Sequence, residues 1–121
     1  MMTARFANSL IEVRKRFASM LDSRLHDIDI SLSKFRDTGN IDALAEIHRS
    51  MHSISGIGPT LGYVATSLAA RAVEHALVES VRAQRSLTNE ELAHVVREVD
   101  ALRLAAYAES QSIREKQKQA R

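Results

Sequence analysis

The 121-residue sequence predicts an all-α fold. The expected architecture is an antiparallel up-down-up-down four-helix bundle with helices at about 3–37, 41–58, 60–84 and 88–117. Three observations carry this. Apolar residues recur at spacings of three and four in four separate stretches. The chain has no Trp, only 4% aromatic residues, and an abundance of Ala, Leu, Arg and Glu, a mixture that favours helix over sheet. Its four glycines and single proline are confined to Gly39 and to the run Gly56-Ile57-Gly58-Pro59-Thr60-Leu61-Gly62. Glycine is disfavoured inside helices, so Gly56 needs a reason.

The first stretch carries Phe6, Leu10, Val13, Phe17, Leu21, Leu25, Ile28, Leu32 and Phe35, one apolar stripe of a long helix. Its period alone leaves room for a break near Arg14-Lys15-Arg16. Gly39-Asn40 reads as its stop, with Asn40 capping the second helix and Asp42 favourable in that helix's first turn. Leu44, Ile47, Met51 and Ile54 form a narrow seam. Pro59 disfavours helical geometry in the residue before it and suits the first turn of a third helix, expected from about Thr60.

That third helix has Leu61, Val64, Ala65, Leu68, Ala69, Ala72, Val73, Ala76 and Leu77 around more than half its circumference, with Arg71, Glu74 and Arg82 on the polar side. Thr88-Asn89-Glu90-Glu91 has the S/T-x-x-E form of a capping box and opens the fourth helix. Leu92, Val95, Val96, Val99, Leu102, Ala106 and Ile113 supply its stripe, before a polar tail expected to fray from about residue 115. The helix lengths place the start of the first helix beside the end of the fourth, Phe6 and Leu10 facing Ala106, Tyr107 and Ile113. The expected organisation is one helical domain over residues 1–121, a monomer rather than a dimer.

Hydrophobic residues make up 45% and charged residues 26%, ordinary values for a globular protein. No apolar run reaches the roughly 20 residues needed to span a bilayer, and no signal-peptide apolar region is seen, so a cytoplasmic location and no membrane partner are expected. The absence of Cys excludes disulfides and thiolate metal sites. A net charge of +2, with no sustained basic face and no groove-reading element, argues against nucleic acid as a partner.

The candidate site lies on the second helix. At 100° per residue from the centre of the Leu44/Ile47/Met51/Ile54 seam, His48 is about 80° off the core axis and Ser55 about 60°. His52 is about 120° off and Gly56 about 160°, while Arg49 falls on the outer face. His52 therefore faces solvent with a bare glycine one turn beyond it, as a surface nucleophile approached by another protein requires. His48 and His52, four apart, could share a metal, but no third ligand accompanies them, so no metal site is expected. His26, His75 and His94 read as structural or solvated, with His75 near the core side of its helix.

The string His52-Ser-Ile-Ser-Gly56-Ile-Gly-Pro-Thr60-Leu61-Gly62, followed by Leu68, Ala72, Glu74 and Leu77, resembles histidine phosphotransfer (HPt) domains. The resemblance implies a non-enzymatic phosphoryl carrier of two-component phosphorelays, with His52 as the phosphoacceptor. It implies receiver domains of response regulators as partners and a histidine kinase or hybrid kinase upstream. It also implies no cofactor of the chain's own, since the receiver brings Mg²⁺ and most of the catalytic groups. Gly56, Ser55, His48 and Arg49 would support the site. One position departs from the pattern. The family's lysine, three residues after the histidine, is Ser55 here, which donates a hydrogen bond but no charge; Arg49 is the expected substitute. The alternative reading is a bundle of the same fold that binds a receiver or kinase without accepting phosphate. A further one is a dimeric helical scaffold extended by the first and fourth helices.

Overall fold

The computed structural model describes residues 3–119 as four helices: α1 (Ala4–Thr38), α2 (Asp42–Ile57), α3 (Val64–Ala83) and α4 (Asn89–Gln119). A 3₁₀ turn, Gly58–Leu61, joins α2 to α3, and no strand occurs among the described residues. Among the described residues, close backbone approaches run α1–α2, α2–α3, α3–α4 and α4–α1 with none across the diagonals, which is the up-down-up-down ring.

One stripe from each helix makes the core: Phe17, Leu21 and Ile28 of α1, Leu44, Ile47, Met51 and Ile54 of α2, Val73 and Leu77 of α3, and Val95, Val99 and Leu102 of α4. The whole α2 seam is buried, each side chain contributing about 1.5–3 kcal/mol relative to exposure. Helix α1 is unbroken across Arg14–Arg16. It ends at Gly39, which takes φ +70° and donates its N–H to the Phe35 carbonyl. Asn40 caps α2 from one residue further out than expected, its Oδ1 accepting from the Asp42 N–H. The capping box of α4 is reciprocal: Thr88 Oγ1 accepts from the Glu91 N–H at 3.1 Å, and Glu91 Oε1 from the Thr88 N–H at 2.9 Å.

The third helix departs from expectation. It begins at Val64 rather than Thr60, because Pro59 and the left-handed Gly62 (φ +91°) turn residues 58–61 into a tight corner. Val64 and Leu68, expected in its apolar face, are exposed, since the bundle covers only the side carrying Ala70, Val73 and Leu77. Helix α3 has no side-chain cap of its own. Glu109 of α4 supplies one, accepting from the backbone N–H groups of Ala65 (3.0 Å) and Thr66 (2.6 Å) and from the Thr66 hydroxyl. Arg14 of α1 donates to the Leu61 carbonyl, and the Tyr63 hydroxyl meets Ser110 Oγ at 3.0 Å. The corner is thus pinned by both helices that flank it. At the same end of the bundle, Leu10 and Ile113 each pack against the core, but Phe6 and Tyr107, expected in the pairing of the two helix ends, stay exposed.

Arg85 grips Glu91 with two hydrogen bonds of 2.9 and 3.0 Å; these, followed by the Thr88 N–H, hold the Glu91 carboxyl down at about 2. The folded value lies below the unfolded one. The stabilisation is therefore present above pH about 4.3 and is lost as pH falls through the folded value. Denaturant unfolding at stepped pH should show Glu91→Gln flattening the acid limb between those limits.

Candidate functional site

The C-terminal half of α2 turns one side to the core and the other outward. Met51 and Ile54 anchor it, and the imidazole of His52 between them is 77% exposed. Gly56 is exposed one turn beyond, and a Cβ built there would meet nothing within 4 Å. Nothing in the fold therefore demands glycine at that position. Gly56→Ala should raise stability by about 0.5–1 kcal/mol in thermal unfolding.

The other side of the site comes from α3. Glu74 Oε2 lies 2.7 Å from His52 Nδ1 and 3.8 Å from His48 Nε2, and the Glu74 side chain is only 17% exposed. A carboxylate only accepts, so the short contact places the proton on Nδ1 and leaves the Nε2 lone pair directed to solvent. His48 borders the core, as the helical geometry predicts. The residues around this pair form a shallow groove of about 350 Å³ lined by His48, His52, Ser55, Gly56, Arg71, Glu74, His75 and Val78.

Ser55 lines the groove but is buried, and its hydroxyl donates back to the His52 carbonyl at 3.0 Å, a hydrogen bond without charge. Two sequence expectations change here. Arg49 is exposed and does not line the groove. His75, expected near the core side, is exposed and is part of the groove wall. Glu74 was legible only as a polar mark on the third helix. Its meeting with His52 depends on the α2–α3 register, which no single-helix pattern contains.

A larger groove of about 710 Å³ lies between α1 and α4, across the ring from His52. Arg103 is tied there to Asp29 by two hydrogen bonds of 2.8 and 3.3 Å. Size does not select the site: the carboxylate-tethered imidazole is in the smaller groove. Among the described residues, no three His, Cys, Asp or Glu side chains are grouped to hold a metal ion, and no helix is long and apolar enough to cross a membrane.

A helical bundle that presents one exposed, tethered imidazole beside uncovered backbone defines a class of small modules that offer a histidine on a helix surface. The comparison with protein families agrees: the Hpt domain family matches residues 12–105, and the chain belongs to that family. Hpt domains serve histidine phosphotransfer in two-component systems, interact with receiver domains and histidine kinases, and are phosphocarriers rather than enzymes in general. No curated protein and no solved structure matches the chain.

Proposed function

We propose that this chain is a phosphorelay carrier that accepts and donates a phosphoryl group on His52 Nε2. The observation that carries the reading is the 2.7 Å contact between His52 Nδ1 and Glu74, which fixes the proton on one nitrogen and frees the other. In the transfer, the Nε2 lone pair attacks the phosphorus of a receiver's aspartyl phosphate. The N–P bond forms, the P–O bond breaks, and its electron pair returns to the aspartate carboxylate. The imidazole gains positive charge as the bond forms, and Glu74 offsets it through the Nδ1 proton. Positioning and charge stabilisation dominate such transfers, so a carrier needs little chemistry of its own. Mg²⁺ and the groups that orient the phosphate come with the receiver. Gly56 admits that partner, and the exposed Ile57, Val64 and Leu68 give it apolar surface near the groove. The carrier acts as a cytoplasmic monomer in this reading.

The test is incubation with a panel of receiver domains phosphorylated on aspartate. Label should appear on the chain, acid-labile and base-stable, and should vanish in His52→Gln. Equal labelling of His52→Gln would overturn the site. Binding without label across the panel would establish instead a bundle that docks partners without carrying phosphate.

A further inference from the structure

A phosphoryl group on Nε2 brings up to about two negative charges into a groove that already holds the Glu74 carboxylate. Two anions that close disfavour each other, so a bound phosphoryl group calls for a cation. Helix α2 does not supply it within the groove. Ser55 is buried and bonded to the His52 carbonyl, and Arg49 stands outside the groove lining.

Helix α3 does. The two helices are antiparallel, and His52 is level with Glu74. Three residues onward from His52 is Ser55; three residues back from Glu74 is Arg71. Ser55 and Arg71 therefore face the groove at one level from opposite walls, and both line it. Arg71 is exposed and, although one turn from Glu74, makes no side-chain hydrogen bond or ion pair among the described residues. Arg71 is the one permanently charged cation in that lining. Its planar fork of N–H donors matches phosphate oxygens.

Resting on the carrier reading above, we propose that Arg71 holds the phosphoryl group of phosphorylated His52, supplying from α3 the positive charge that α2 lacks beside the site. Arg71 exchanges no proton and forms no bond to phosphorus. It binds the phosphoryl oxygens while the N–P bond forms, and keeps them afterwards. Its charge thereby favours the dianionic form of the group and the phosphorylated state of the chain.

The experiment needs no cognate partner. Phosphoramidate transfers its phosphoryl group to imidazole nitrogen with release of ammonia, so the intact chain can be charged on His52 and titrated by ³¹P NMR. In Arg71→Gln the midpoint of the phosphoryl titration should rise by about 0.5–1 unit. Arg71→Lys should stay near the original value. Ser55→Lys in the Arg71→Gln background should return the midpoint towards it by restoring charge on the opposite wall. Because Ser55 is buried, Arg71→Lys keeps the comparison decisive if that double variant does not fold. With receivers that label the chain, Arg71→Gln should also shift the equilibrium about tenfold towards the aspartyl phosphate. An unchanged midpoint and partition in folded Arg71→Gln overturn the role of Arg71 and leave the carrier reading intact. Failure of any receiver to label the unsubstituted chain overturns the carrier reading, whatever Arg71 does in the titration.

Discussion

Replacing Glu74 by Ala should leave the bundle folded and slow phosphoryl transfer to His52 by about ten- to a hundredfold, the equivalent of one charge-assisted hydrogen bond. The side chain already borders the open groove, so its loss widens that groove rather than leaving a closed cavity in the core. What disappears is the partner that holds the His52 proton on Nδ1 at 2.7 Å. Without it the imidazole is free to place its proton on either nitrogen and to turn about its own axis, so fewer encounters present the Nε2 lone pair in line. Glu74→Gln is the sharper control. Its amide oxygen can still accept from Nδ1, so the ring stays oriented, but the negative charge that offsets the developing imidazolium is gone. Rates for Gln between those of Glu and Ala would divide the effect between orientation and charge. A stopped-flow or quench series at saturating receiver, with circular dichroism to verify folding, makes the comparison.

The second large effect is on stability. Gly58→Ala should cost about 2–4 kcal/mol, a large share of the roughly 5–15 kcal/mol that holds a domain of this size. Gly58 sits buried at the α2–α3 corner, where a Cβ would overlap Ser67 Oγ and stand 3.2 Å from the Tyr63 carbonyl. Ser67 cannot simply step aside. It is buried, and its hydroxyl donates to that same Tyr63 carbonyl at 2.7 Å. Adding the methyl group therefore forces a backbone shift or breaks a buried hydrogen bond. Ser67→Ala removes the clashing oxygen, so the double variant should be more stable than the sum of the two single costs. Additive costs in denaturant unfolding would show that the corner yields in some other way. Gly56, two residues earlier, has open space above it, and the expected sign there is reversed. Two glycines of one short run thus differ: Gly58 is required by packing, and Gly56 is not.

That contrast shows what the sequence held and what it did not. The number of helices, their order and the buried seam of α2 follow from spacing alone, because each helix buries one face and that face is written locally. The outward turn of His52 and Gly56 follows from the same arithmetic. Local spacing carries no such information wherever two helices meet. Glu74 and Arg71 read only as polar marks on the third helix, since their value depends on where α3 lies along α2. Glu109 gave no local sign that it would cap a helix other than its own. Val64 and Leu68 misled in the other direction: α3 is apolar over more of its surface than its neighbours cover. Arg49 was a reasonable substitute for a missing lysine on α2 alone, yet the cation in the groove stands on the facing helix.

The central claim is that His52 carries the phosphoryl group on the nitrogen that Glu74 leaves free. Phosphorylating the ¹⁵N-labelled chain with a receiver's aspartyl phosphate and correlating ³¹P with the ring nitrogens tests it directly. The expected result is a single N–P coupling, to Nε2 of His52, with Nδ1 still protonated. Coupling to Nδ1, or phosphate on His48, His75 or any other residue, would contradict it.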